Sequence, residues 1–163
     1  MSREYTVPMS NVTATSLANA AAVFVNNGTV TSLEFLRGWL SQSGNATSAQ
    51  QAVAWQTQAT AFPTLTSTAP VILKQKDPAS QISGGAAGAA GTSGVNATAI
   101  GAGTKTPIFS DNFNVLNGYL WVPTPLETII YPPGLSTGLG LYWVSAVAQT
   151  ANWSAGITFR ELG

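Results

Sequence analysis

Charge is scarce in this chain: six Lys plus Arg and six Asp plus Glu are spread over 163 residues, and His and Cys are absent altogether. Without His the chain lacks the side chain that most readily carries protons near neutral pH. Without Cys it lacks thiolate nucleophiles, disulfides and zinc-finger ligands. These gaps argue against an enzyme more strongly than anything present argues for a named activity. A formal net charge of +0 leaves no basic excess to neutralise phosphates, so nucleic-acid binding loses its main electrostatic contribution. No stretch approaches the roughly 20 apolar residues of a membrane-spanning helix. Met1-Ser2-Arg3-Glu4-Tyr5 is not followed by the apolar run of a signal peptide.

The apolar fraction is ordinary at 45%, while the charged fraction of 7% falls far below the roughly 25% of an average soluble domain. Thr, Ser, Asn, Gln, Gly and Ala make up the difference. A neutral surface of this kind has little charge to keep separate copies apart, which points to a chain largely occupied in an assembly. Asn-x-Ser/Thr triplets occur at Asn11, Asn27, Asn45, Asn96 and Asn152. In a chain so rich in these residues, chance accounts for them, and glycosylation is not expected.

The length corresponds to a single domain, residues 1–163, with room for a substantial core. Tyr5–Met9 reads as an N-terminal arm or edge strand, since Pro8 cannot donate to a central ladder. Ala21–Val25 ends at Asn26-Asn27-Gly28, and Thr29-Val30-Thr31 resumes the strand pattern, which predicts a hairpin. Beyond it, Leu33, Phe35, Arg37 and Trp39 fall on one face, and Leu36 and Leu40 on the other. Residues 47–60 could open a helix capped by Ser48, but Val53, Trp55, Thr57 and Ala59 alternate with Ala54, Gln56 and Gln58, and strand is the reading adopted. Pro70–Lys76 reads as a further strand closed by the Asp77-Pro78 turn.

Residues 84–104 are a Gly/Ala-rich stretch with Gly85, Gly88, Gly91 and Gly94 at every third position. The period is too short and too poor in Pro for collagen, so a long flexible loop is expected. Strands then return at 118–122, 128–131, 139–148 and 155–162, separated by Pro123, Pro125, Pro132, Pro133 and Gly134. This rhythm predicts an all-β fold, an antiparallel β-sandwich of jelly-roll type. Leu139, Leu141, Trp143 and Val147 alternate with Tyr142, Val144, Ala146 and Ala148, so this strand is apolar on both faces. One face meets the core; the other requires either a neighbouring subunit or the chain's own long loop.

Sites for chemistry are few. Ala99–Thr106 superficially resembles a phosphate-binding loop, but Thr104 separates Gly103 from Lys105 and Pro107 obstructs a following helix. Asp77, Asp111 and Glu127 are the carboxylates available for a catalytic pair. Each also has a structural explanation: Asp77 opens a turn, Asp111 lies in the polar Ser110-Asp111-Asn112 turn, and Glu127 follows a Pro-rich connection. No calcium loop of Asp-x-Asn-x-Asp-Gly type appears. No catalytic, metal-binding or cofactor-binding residue is therefore assigned. Trp39, Trp55, Trp121 and Trp143 lie in apolar strand patterns and are expected in the core or at a subunit interface. Trp153, between Asn152 and Ser154 at an expected hairpin tip, is the one candidate for an exposed contact, and the aromatics together keep a carbohydrate-binding module open as an alternative.

The segment Gly118-Tyr119-Leu120-Trp121-Val122-Pro123-Thr124-Pro125-Leu126-Glu127, then Pro132-Pro133-Gly134, then Gly156-Ile157-Thr158-Phe159-Arg160-Glu161-Leu162-Gly163, resembles small β-sandwich virion proteins of tailed phages. Pro70 to Ile82 fits that pattern loosely, so the resemblance spans about the last two thirds of the chain. It implies a capsid decoration, or cement, protein: a non-enzymatic subunit, commonly trimeric, that binds the major capsid protein on the shell and is assembled in the host cytoplasm. A tail, neck or fibre component carries the same pattern. The family has no catalytic motif to transfer.

Overall fold

The structure, a computed structural model, describes residues 3–44, 48–134, 136–147 and 151–163. Among these residues there are thirteen strands and no helix. In chain order they are β1 (Arg3–Thr13), β2 (Ala20–Asn26), β3 (Ser32–Ser43), β4 (Gln50–Ala59), β5 (Thr64–Ser67), β6 (Val71–Ile72) and β7 (Ser83–Gly84), followed by β8 (Thr92–Ala99), β9 (Thr104–Asn114), β10 (Tyr119–Trp121), β11 (Ile129–Tyr131), β12 (Thr137–Trp143) and β13 (Asn152–Leu162).

The strands form a β-sandwich. One sheet runs β10-β3-β13-β1-β6, with β11 also paired to β3; the other runs β5-β8-β2-β12-β4-β9, with β7 on β8. Every described pairing is antiparallel except the two-residue contact of β7 with β8. Val7, Leu33, Phe35, Ile157 and Phe159 of the first sheet and Val23, Trp55, Leu139 and Leu141 of the second are buried in a common core. Phe35 meets Trp55 across the layers edge to face, with ring centroids 5.9 Å apart. The strand reading of the segment around Trp55 holds, because its period-2 alternation places Val53 and Trp55 inward.

Several expectations are corrected. Asn26-Asn27-Gly28 does not make a hairpin: β2 and β3 belong to different sheets, so this turn carries the chain from one layer to the other. Asn27 fixes the crossing by donating from Nδ2 to the carbonyls of Thr31, Tyr131 and Pro132, and Gly28 takes a φ of +54°. Buried in this way, Asn27 has no surface on which a glycan could be attached. Asn45 lies outside the described residues.

In β3 the register slips by one residue at Leu36, between the pairs Arg37 with Thr158 and Phe35 with Phe159. The bulge inverts the alternation. Leu33, Phe35 and Leu40 therefore face the core, whereas Arg37 and Trp39 face outward with the Arg37 guanidinium 5.1 Å from the Trp39 ring centroid.

The Gly/Ala-rich residues 84–104 are not one long loop. Thr92–Ala99 is strand β8, hydrogen-bonded between β5 and β2, and Val95 and Ala97 are buried. Small residues serve here as close-packing positions: a Cβ on Gly94 would sit 2.7 Å from Leu65 Cβ. Nor is the N-terminal segment an arm. All of β1 from Arg3 to Met9 pairs with β13, and Tyr5, Val7 and Met9 are buried. Its other side pairs with Val71–Ile72, the short remnant of the strand expected over Pro70–Lys76, and the Leu73 N–H donates to the Glu4 carbonyl just beyond it. Pro8 falls beyond that cover, where its missing N–H leaves no gap in the ladder with β6.

The second apolar face of β12 is covered by the chain itself. Phe24 of β2 lies over Gly138 and Gly140, against Phe62 at a centroid distance of 6.0 Å and edge to face with Tyr142 at 6.4 Å. The Tyr142 hydroxyl donates to Gln58 Oε1 at 2.9 Å, and Gln58 Nε2 in turn donates to the carbonyls of Ala61 and Ile100. The connections around 61, 88 and 100 thus close a small second core. Ala148, at the far end of the expected strand, lies outside the described residues.

Candidate functional site

One edge of the sandwich opens into a cleft. Here β9, the last strand of one sheet, faces β10 and β11, which hang on β3 at the margin of the other. β9 is a long edge strand that the sequence conceals, because Pro107 and the polar Ser110-Asp111-Asn112 imitate a turn. All three polar residues lie within the strand, with Asp111 opposite Val53. Pro107 is tolerated at an edge, and a bulge beside it leaves Ile108 without a partner between the pairs Phe109 with Trp55 and Pro107 with Gln56. The bulge aims consecutive side chains of β9 at the cleft.

The cavity has a volume of about 410 Å³, within the range of small-ligand and side-chain pockets. Phe109, Tyr119 and Trp121 form its aromatic wall, and Ser110, Asp111 and Glu127 bring polar groups to it. Phe109 and Trp121 lie 5.4 Å apart at 31°, and Trp121 packs 4.7 Å from buried Trp55, which anchors the wall in the core. Glu127 is held by the turn that precedes β11: its N–H donates to the Thr124 carbonyl and its Oε2 accepts from Thr124 Oγ1, both at 2.9 Å. Asp111 Oδ1 accepts from the Asn112 N–H at 2.7 Å. Burial pushes the Tyr119 phenol up to about 12, and the Asp111 charge adds to the shift; the Trp55 indole acts weakly in the opposite sense but makes no formed hydrogen bond.

Two of the three carboxylates singled out by sequence therefore meet in one cleft, and the third does not. Asp77 sits near the β1 end of the first sheet, where its Oδ2 accepts from the Glu4 N–H at 3.1 Å and its own N–H closes a turn onto Lys74. Both cleft carboxylates are exposed, and their protein contacts are those of a strand and a turn. The segment that resembles a phosphate loop runs from β8 into β9, with Lys105 in a strand and donating to the Gly101 carbonyl, so no helix start is present to receive a phosphate. Among the described residues no group of three or more His, Cys, Asp or Glu could hold a metal ion, and no helix is long and apolar enough to cross a membrane.

Trp153 is the clearest correction. It is not at a hairpin tip but inside β13, completely buried, edge to face with Trp143 at 5.9 Å and with Phe113 at 6.4 Å. Its polar neighbours Asn152 and Ser154 reflect the alternation of an inward apolar residue between two outward polar ones. The partly exposed tryptophans are instead Trp121 on the cleft and Trp39 on the outer face of the first sheet, each half-buried.

The strands that carry the cleft wall also bear exposed apolar residues. Leu126 is 98% exposed, Leu120 67%, Val122 61% and Ile130 58%, all within or beside β10 and β11. Register extends this patch across the outer face of the first sheet, because Leu120 stands opposite Trp39, Trp39 opposite Gly156, and Gly156 opposite Pro8. The row through Ile130 is charged, with Arg160 bridging Glu34 at 2.8 Å and Glu4 at 3.0 Å. The Arg160 hydrogen bond holds the Glu4 carboxyl below its ordinary range, with Lys74 adding to the effect. No family model, curated protein or solved structure matches this chain.

Proposed function

We propose that this chain is a non-enzymatic virion structural protein, a capsid decoration or cement subunit that binds the shell as a closed oligomer, with a trimer favoured. The observation that carries the reading is the exposed apolar surface at 120–130. In a protein with so few charges, four large exposed apolar side chains on β10, β11 and the turn between them call for a partner to cover them. The resemblance of the 118–134 and 156–163 segments to phage virion proteins supplies the class of partner: the major capsid protein or another virion protein. A tail, neck or fibre position would use the same surface.

The test is attachment of the purified protein to undecorated particles, with light scattering for its oligomeric state. Leu120→Asp combined with Leu126→Asp should weaken attachment at least about tenfold while leaving thermal unfolding unchanged, because both side chains are already in water. Wild-type protein that neither attaches nor self-associates would overturn the reading. A carbohydrate-binding module is the second reading, favoured by the stacked Phe109 and Trp121 in an open cleft. A glycan-array signal lost in Trp121→Ala would support it.

A further inference from the structure

We infer that the cleft between β9 and β10–β11 is a receptor for an arginine side chain presented by the partner protein. Asp111 and Glu127 approach the cavity from its two sides, one on β9 and one on the turn before β11, and neither Lys nor Arg lines it. In a chain with twelve formal charges, two carboxylates at one opening, neither in an ion pair among the described residues, make a local negative field.

The aromatic wall adds the second half. Phe109 and Trp121 offer π faces in a near-stacked pair, and Trp121 cannot retreat because Trp55 packs behind it. A guanidinium is planar, weakly hydrated and always charged. It stacks on an indole face while its N–H groups reach carboxylates in its own plane. The same chain shows the stacking elsewhere, where Arg37 lies over Trp39 and donates to Thr158 Oγ1 at 3.0 Å. A neutral saccharide would use the aromatic wall but leave both charges uncompensated, and an anionic one would be repelled.

The position of the cleft fits an interface. Exposed Ile108 lines the cleft and fully exposed Leu126 precedes Glu127 in the turn, so a partner seated there would cover apolar surface and exclude water from the ion pairs within. The source of the arginine rests on the assembly reading above, whereas the chemistry of the cleft can be measured without it.

The experiment follows the Trp121 indole N–H signal by NMR during titration with acetyl-Gly-Arg-Gly-amide and with the same peptide carrying citrulline. The arginine peptide should give a saturable shift, and citrulline should bind at least about fivefold more weakly because it keeps the shape and loses the charge. The double variant Asp111→Asn with Glu127→Gln, both exposed and isosteric, should abolish that difference. Equal binding of the two peptides would overturn the inference, as would shifts produced by methyl glycosides but not by the arginine peptide. Particle attachment of the double variant is measured in parallel. If wild type and double variant attach equally, the cleft is not the partner's receptor although the assembly reading stands. If wild type does not attach, the assembly reading fails and the peptide comparison alone decides the cleft.

Discussion

Gly38 and Gly156 each lie beneath a tryptophan, one inside the sandwich and one outside it. A Cβ on Gly38 would overlap Cζ2 of Trp55, and a Cβ on Gly156 would overlap the same atom of Trp39. Their consequences differ because their tryptophans differ in freedom. Trp55 is enclosed by Phe35, Phe109 and Trp121, so Gly38→Ala should overpack the core and destabilise by about 1–3 kcal/mol. Trp39 is half exposed and can swing toward solvent, so Gly156→Ala should cost clearly less. Urea denaturation of both variants checks the order, and an equal or reversed cost would show that the Trp55 cage yields. Nothing in the two sequence contexts separates these residues, because the Leu36 bulge that turns Trp39 outward leaves no local trace.

At the scale of elements, β1 and β8 changed most between sequence and structure. Pro8 led to the expectation of an N-terminal arm or edge strand, and glycine periodicity led to the expectation of a flexible loop. Each is a paired strand that contributes to the core. Removal of residues 1–9 would strip Tyr5, Val7 and Met9 from the first sheet, together with Glu4 from its ion pairs with Arg160 and Lys74. The truncated chain should therefore lose cooperative thermal unfolding, as should a chain lacking 155–163. Retention of the wild-type midpoint after the first deletion would show that β1 is an accessory after all. The strands around Trp55 and Ile157 were legible from their apolar alternation, and the strand around Val23 from a continuous apolar run closed by Asn26-Asn27-Gly28. In β9 the two signals conflict, and the cleft wall was missed with it.

For the whole molecule, alkaline pH is the sharpest probe, since all four tyrosines are shifted upward. Burial pushes Tyr119 and Tyr131 up to about 12; it also raises Tyr142 and, with the Glu161 charge adding to it, Tyr5. A phenol whose folded pKa lies above its unfolded value of about 10 contributes stability that is complete below pH 10 and is lost as pH rises toward 12. Unfolding should thus set in between about pH 10 and 12, and phenolate absorbance should rise in one step together with loss of near-ultraviolet circular dichroism. A gradual titration centred near pH 10 with circular dichroism intact would show that the tyrosines are accessible in the folded protein.

The sequence by itself determined the class of the fold and the absence of imidazole and thiol side chains. Both follow from local properties: alternation and turn residues act over a few positions, and a missing side chain is missing from every conformation. The tertiary structure decided which strands pair, which face of β3 is wet, what covers β12, and that Asp111 and Glu127 share a cleft while Asp77 does not. These depend on contacts between distant segments, such as Arg3 against Glu161 or Trp55 against Trp121. A one-residue bulge or a change of sheet at Gly28 redirects every side chain beyond it, and the free energy that selects such features comes from burial across the whole sandwich rather than from the residues that form them.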